Sequence, residues 1–245
     1  MNRVLIVGAT SAIAEATARR FARGGARLLL AGRSATRLRA VADDLRVRGA
    51  ARVFTFELDV RDLARHEALF AEAEERLGGL DGVLVAHGVL PDQAECERSA
   101  SSAAESLLVN GVSTVSLLTI AATRLERSGR GCIAVLGSVA GDRGRRSNYV
   151  YGAAKGMLDV FLQGLRHRLT GSGVRVVTIK PGPVDTPMTA QLPKSFLFAD
   201  PADVGARVHR AMIHADGVVY VPWYWRWIML GIRALPERVF RRTPL

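Results

Sequence analysis

The sequence predicts an α/β chain with a Rossmann-like, doubly wound, mostly parallel seven-stranded sheet and helices on both faces. Three observations predict it. Short apolar runs alternate with longer amphipathic stretches along the chain. Those runs are nearly continuous rather than alternating, as strands buried on both faces must be. The first run also leads through a loop of small residues into a helix, so that a helix N-terminus faces the strand end.

Taken in order, Val4–Val7 is a first strand and Ile13–Arg23 a helix. Leu28–Ala31 and Val53–Leu58 are strands, separated by the helical stretch Leu38–Val47, and Leu63–Leu77 continues the helical period. Val83–Ala86, Cys132–Leu136, Val174–Ile179 and Val218–Val221 complete the strands. Helices are expected over Ala103–Leu125, Val150–Leu169 and Ala202–Ile213. Residues 1–221 thus form one domain, in which 181–201 lacks a clean period and reads as a long loop. Residues 222–245 change to an apolar and basic character but stay part of the same domain.

Composition narrows the function classes. The chain has 245 residues, 49% hydrophobic and 6% aromatic, enough apolar material for one core. Its net charge is +11, carried mostly by Arg, which attracts phosphorylated ligands, anionic lipid or nucleic acid. No base-stacking or groove-reading motif is present, so nucleic acid is not an expected partner. Cys96 and Cys132 make no disulfide framework, and Cys132 sits in a strand-like run as a small hydrophobe. The N-terminus has no signal-peptide architecture, and no run of ~18 uncharged apolar residues is found, so a cytoplasmic protein is expected. His66, His87, His167, His209 and His214 lack partners at ligand spacing, and no metal is expected.

The first strand ends in Gly8-Ala9-Thr10-Ser11-Ala12-Ile13-Ala14. A strand, a small-residue loop and a helix at that place suit a dinucleotide pyrophosphate. One of the three glycines of such a loop is present; Ala12 and Ala14 stand at the other two positions. The second strand ends in Gly32-Arg33-Ser34 with no acid to bond a ribose 2′-hydroxyl. Arg33 can pair with a 2′-phosphate instead, which favours NADP(H) over NAD(H). Thr10, Ser11 and Ser34 add hydroxyls. Asp59-Val60 ends the third strand, where an adenine would lie, and Ala86-His87-Gly88 ends the fourth.

Tyr151 and Lys155 are four apart at the start of a helical stretch and share one face. A nearby ammonium favours the phenolate and is expected to draw the tyrosine toward neutrality, making Tyr151 a general acid for a carbonyl. Ser138 follows the fifth strand and can hold a carbonyl oxygen as negative charge develops. Asn110 lies in the preceding helix and can order a water near the lysine. Tyr149 has Ala at the fourth position beyond it, so it lacks such a partner.

With these residues in place, the sequence resembles the short-chain dehydrogenase/reductase family from residue 3 to about 221. The matching pieces are Gly8 with its loop, Asp59, Ala86-His87-Gly88, Asn110, Ser138, Tyr151-Gly152-Ala153-Ala154-Lys155 and Pro181-Gly182-Pro183-Val184-Asp185-Thr186. The resemblance implies a catalytic tetrad of Asn110, Ser138, Tyr151 and Lys155, with Lys155 also bonding the nicotinamide ribose. It implies that Pro181, Gly182, Val184 and Thr186 embrace the nicotinamide end. Ala12, Ala14 and His87 depart from the family pattern of Gly, Gly and Asn.

The C-terminal segment stands apart. Trp223, Trp225 and Trp227 precede Ile228-Met229-Leu230-Gly231-Ile232, with Arg238, Arg241 and Arg242 beyond. Aromatics beside an apolar stretch and cations suit a membrane interface, and equally a subunit contact in a dimer or tetramer. The tail and the glycine-poor loop are similar to a subgroup that includes decaprenylphosphoryl-keto-pentose reductases, which implies a lipid-linked keto sugar as substrate. The expected protein is an NADPH-dependent reductase of a small or lipid-linked ketone, at the inner face of a membrane. The alternative is a non-catalytic NADP-binding sensor or scaffold.

Overall fold

Residue parity decides which face each strand serves. In β1 (Arg3–Val7), Val4 and Ile6 point to one layer and Leu5 and Val7 to the other. In β2 (Arg27–Gly32), Leu28 and Leu30 join the first layer while Leu29 and Ala31 join the second. Successive side chains alternate across a strand, so a run that is apolar at every position must be covered twice. The computed structural model, which describes residues 1–243, shows that it is.

The remaining strands are β3 (Arg52–Glu57), β4 (Gly82–Val85), β5 (Gly131–Leu136), β6 (Val174–Pro181) and β7 (Gly217–Val221). All seven pair in parallel in the order β3-β2-β1-β4-β5-β6-β7. One face is covered by α1 (Ala12–Arg23), α2 (Ala35–Val47) and α8 (Pro201–His214). The other is covered by α3 (His66–Leu77), α6 (Ser113–Ser128) and α7 (Tyr149–Arg168). The predicted doubly wound sheet is therefore present, and it is parallel throughout.

Helix starts follow from capping chemistry. Ser11 precedes α1 and accepts from the Ala14 amide at 3.2 Å; Ser34 precedes α2 and accepts from the Arg37 amide at 3.3 Å. Asp200 caps α8 with Pro201 at its first position. Each pairs an oxygen acceptor with an amide that has no carbonyl partner in the first turn.

Four expectations change. The helix expected over Ala103–Leu125 is preceded by a short α4 (Gln93–Arg98), starts as α5 (Ala100–Leu107), passes through a π-helical turn at Leu108–Val112 and continues as α6. The span Ala100–Ser128 is long and apolar enough to cross a membrane, but half of its apolar window is buried and Leu117, Leu118, Ala121 and Leu125 pack on the sheet. Leu63–Arg65 is a 3₁₀ turn ahead of α3, not part of it. The 181–201 loop contains a 3₁₀ turn at Pro187–Thr189 and a parallel bridge between Val184 and Ala199. The tail forms α9 (Trp225–Ala234) and α10 (Glu237–Phe240), and part of it turns inward: Trp225 and Met229 are buried against Val139. The 222–245 reading thus splits into an inner and an outer face, and its last two residues lie outside the described ones.

Candidate active site

The strand order reverses between β1 and β4, where neighbouring crossovers leave in opposite directions and open a crevice at the C-terminal strand ends. The predicted site residues gather along that edge.

Gly8 adopts φ +77°, and a Cβ on it would stand 2.4 Å from the His87 amide nitrogen. The β1–α1 loop and the end of β4 are thus in backbone contact, which no side chain at position 8 permits. The loop runs into the N-terminus of the 12-residue α1, whose dipole favours an anion there. Thr10, Ser11, Ala12 and Ile13 occupy this turn. The small-residue cradle, the helix end and a nearby cation fit a dinucleotide phosphate.

Arg33 follows Gly32 at the end of β2 and is exposed. Its charge reaches Asp59, but among the described residues it makes no ion pair. Sequence reasoning missed a second cation here. Arg37, one turn into α2, donates from Nη2 to the Thr10 carbonyl at 2.9 Å, tying α2 to the phosphate loop. Its signal was a second Arg close behind Arg33, in the first turn after the Ser34 cap.

Asp59 is engaged elsewhere. Hydrogen bonds from Arg61 hold its carboxyl down to about 2, and Arg61 also pairs with Glu105 at 3.0 Å. The Val60 carbonyl accepts from His66 Nε2 at 3.1 Å, which fixes that tautomer. Ala86 and Gly88 flank His87, which stands where the family carries Asn. Burial pushes His87 down to about 3, so the ring is neutral. Ser113 Oγ gives its proton to the Val109 carbonyl at 2.8 Å, so His87 Nε2 donates to Ser113 at 2.9 Å, and His87 Nδ1 is buried without a partner among the described residues.

The four candidate catalytic residues converge from three elements. Ser138 follows β5 and caps the turn Val139–Gly141, its oxygen accepting from the Ala140 amide at 3.1 Å. Tyr151 and Lys155 lie one turn apart in α7, with the Lys155 Nζ 5.7 Å from the Tyr151 ring centroid. Lys155 is 4% exposed and donates to the Leu136 carbonyl at 2.9 Å, which links α7 to the end of β5. Asn110 sits in the π-helical turn. Such a turn places an extra residue in the helix and commonly marks a functional site. A Cβ on Gly88 would stand 2.9 Å from Asn110 Oδ1 and 3.8 Å from Lys155 Nζ, which places the end of β4 between the two.

One expectation about these groups is corrected, and Asn110 has a further task. The Asn110 amide is spent on the protein, Oδ1 accepting from the Val89 amide at 2.9 Å and Nδ2 donating to the Ser106 carbonyl at 3.0 Å. It braces the loop after β4. Tyr151 is not drawn toward neutrality. Burial pushes its hydroxyl up to about 12, with the Ser138 hydroxyl pulling the other way. Burial likewise pushes Lys155 down to about 8, opposed by the Asp159 carboxylate. Desolvation disfavours both charged forms.

At the other end of the crevice, Pro181 and Val184 are buried and Val184 bridges to Ala199. Thr189 Oγ1 accepts from the Thr186 amide at 3.2 Å, shaping the turn after Val184. Gly182 is covered by a residue not foreseen at the site. A Cβ there would stand 2.0 Å from Trp225 Nε1. Trp225 also packs with Val139, the residue after Ser138, so α9 walls the crevice. The i, i+4 stripe of Trp225 and Met229 was the available signal.

A cradle for a nucleotide phosphate at the switch point, beside a tyrosine, a lysine and a serine, defines an oxidoreductase that works with a nicotinamide cofactor. The chain belongs to the short chain dehydrogenase family, which residues 2–195 match. It is 41% identical over 241 residues to an uncharacterized oxidoreductase of Mycobacterium tuberculosis, covering 98% of this chain and 96% of that one. Its structure is similar to the crystal structure of levodione reductase, with TM-score 0.81 and 25% identity over 91% of this chain and 96% of that one. It is similar as well to an alcohol dehydrogenase from the archaeon Thermococcus sibiricus complexed with 5-hydroxy-NADP, with TM-score 0.79 and 25% identity over 90% of this chain and 96% of that one.

Proposed function

We propose that this protein is an NADPH-dependent carbonyl reductase in which Tyr151 gives the proton. The observation that carries the reading is the convergence of Ser138, Tyr151 and Lys155 on the strand edge that also bears the Gly8 cradle. Gly8, Thr10, Ser11, Ala12 and Ile13 would hold the pyrophosphate, with Arg33 and Arg37 near the 2′-phosphate. Asp59, Val60, Ala86, His87 and Gly88 would line the adenosine side, and Pro181, Gly182, Val184 and Thr186 the nicotinamide. When bound, the cofactor supplies a hydride to the carbonyl carbon. Tyr151, a neutral phenol in the buried site, hydrogen-bonds the carbonyl oxygen and passes its proton to it. Ser138 shares that oxygen and steadies the charge that builds on it. The Lys155 ammonium stabilises the tyrosinate left behind, and its bond to Leu136 keeps it aimed.

Tyr151→Phe tests this with little change of shape. Turnover of a ketone panel is expected to fall by at least about 10²-fold, the scale of a lost general acid, while NADPH binding persists. Undiminished steady-state turnover in that variant would overturn the assignment.

The substrate reading is a ketone presented at a lipid surface, in the limit a lipid-linked keto sugar. Its support is the outer face of α9 and the turn before it, where Trp227 and Trp223 are 60% and 64% exposed beside Leu230, Arg226 and Arg233. Apolar rings flanked by guanidinium groups match the boundary between acyl chains and anionic head groups. Its inner face meanwhile touches the crevice, so a lipid-borne carbonyl would have a short path to Ser138. The protein would then sit peripherally on the cytoplasmic face of a membrane. A homo-oligomer is proposed through α6 and α7. Val112, just before α6, and Met157 and Val160 of α7 are exposed, and Met157 lies over Gly111.

A further inference from the structure

Directly after Lys155, on the side of α7 that faces β6 and β7, lies a buried charge cluster not included among the four residues above. Lys180 Nζ donates to Asp159 Oδ2 at 2.7 Å and to Asp142 Oδ1, and the Tyr220 hydroxyl donates to Asp142 Oδ2 at 2.8 Å. The side chains of Asp142, Lys180 and Asp159 are 1%, 7% and 14% exposed. Two carboxylates and one ammonium leave one negative charge in excess inside the protein. Buried charge of that kind is costly unless another cation balances it.

Lys155 is the cation in place to do so. It precedes Asp159 by one helical turn, a spacing at which side chains are neighbours. Gly141 packs into the same corner: a Cβ there would lie 2.8 Å from the Lys155 carbonyl carbon and 3.0 Å from Asp159 Oδ2. Arg145 and Arg166 also exert a field on the cluster, Arg145 on Asp142 and Arg166 on Asp159. Neither hydrogen-bonds these carboxylates; Arg166 spends its guanidinium on the Thr178 hydroxyl at 2.9 Å. The other groups around Lys155 do not supply a negative charge. Tyr151 is a neutral phenol, His87 a neutral ring, Asn110 an amide, and the Leu136 carbonyl a dipole.

We propose that Asp159 is a positioning residue for Lys155, supplying from one turn away the counter-charge that keeps its ammonium protonated, with Lys180 and Asp142 holding Asp159 in place. Lys155 is the group that must stay cationic for the reaction proposed above, so this inference rests on that reading. Burial works against it, pushing Lys155 down to about 8, and Asp159 is the opposing influence. Burial also pushes the Asp159 carboxyl up, and the Lys180 ammonium pulls it back toward the ionised form. Without Asp159 the lysine titrates at lower pH. Its ammonium is present below its titration point and lost above it, so the alkaline limb of activity moves toward neutrality.

The test compares Asp159→Asn, Asp159→Glu and Asp142→Asn with the parent chain. Two readouts are taken: the titration of Lys155 followed by lysine side-chain NMR, assigned with Lys155→Met, and the pH profile of kcat/KM for ketone reduction. Asp159→Asn is expected to lower both midpoints by about one pH unit, the scale of one close charge. Asp159→Glu is expected to restore most of the shift. Asp142→Asn is expected to lower Tm while leaving the Lys155 midpoint nearly in place. A lowered Tm in Asp159→Asn with an unmoved Lys155 midpoint would make Asp159 merely structural and overturn the proposal. The NMR titration needs no substrate, so a chain that reduces no ketone would sink the carbonyl-reductase reading while this one is still decided.

Discussion

Arg33 and Arg37 are the single residues on which the proposed preference for NADPH rests. Arg33 stands where an acid would select a 2′-hydroxyl, and Arg37 reaches back to the Thr10 carbonyl. A phosphate between them would gain charge-assisted hydrogen bonds worth roughly 1.5–3 kcal/mol each. Arg33→Glu is therefore expected to raise the KM for NADPH about 10- to 100-fold and leave that for NADH much less changed. Steady-state kinetics with both cofactors measure this, and an unaltered preference would exclude Arg33 as the phosphate partner. At this scale the sequence was informative wherever chemistry follows from residue type and spacing. The Tyr151–Lys155 pair, Ser138 after a strand and Arg33 after Gly32 are legible in residue order alone. The Tyr151 hydroxyl was misjudged because spacing reports the neighbouring charge but not the desolvation that opposes it. The Asp142–Lys180–Asp159 cluster was invisible because its members come from three separate elements, with contacts 38 and 21 residues apart in sequence.

Among the elements, the strands were the most legible, since a doubly covered strand must be apolar at every position. Helix boundaries were less so. The π-helical turn at Leu108–Val112 has no compositional mark, because it arises from fitting Asn110 between the loop after β4 and the Ser106 carbonyl. Helix α9 was legible as apolar but not as two-faced. Its inner face is fixed by the indole lying where a Gly182 side chain would be. Gly182→Ala is expected to push Trp225 outward, lower stability by about 1–3 kcal/mol as overpacking does, and weaken ketone turnover more than NADPH binding. Denaturant unfolding and kcat/KM measure the two effects. Wild-type turnover and stability in that variant would show that the α9 wall tolerates displacement.

For the molecule as a whole, the question is which surface α9 meets. Deleting residues 222–245 would also remove Trp225 and Met229 and so damage the core of the wall. Outer-face substitutions avoid this. Trp223→Ser, Trp227→Ser and Leu230→Ser together are expected to abolish flotation with vesicles of anionic phospholipid while preserving Tm within a few degrees. Unchanged flotation would remove the lipid reading. Lost self-association by light scattering, with flotation intact, would assign the patch to a second copy of the chain. The +11 charge supports the lipid arm, and its effect should fade as salt is raised.

The Arg143 contacts bear on how such a chain reaches its working form. Arg143, in the loop after Ser138, donates to the carbonyls of Ile232 and Leu235 at 2.6 Å each, pairs with Glu237 at 3.1 Å and lies 3.9 Å over the Phe240 ring. These partners are 89 to 97 residues away along the chain, and the Gly8–His87 contact of the cradle spans 79. Loop-closure entropy grows only with the logarithm of the span, about 0.6 kcal/mol per doubling, so the two closures differ by about 0.2 kcal/mol. Chain separation therefore gives neither closure a lead, and the Arg143 clasp acts instead by holding the α9 wall and the loop after Ser138 as one body.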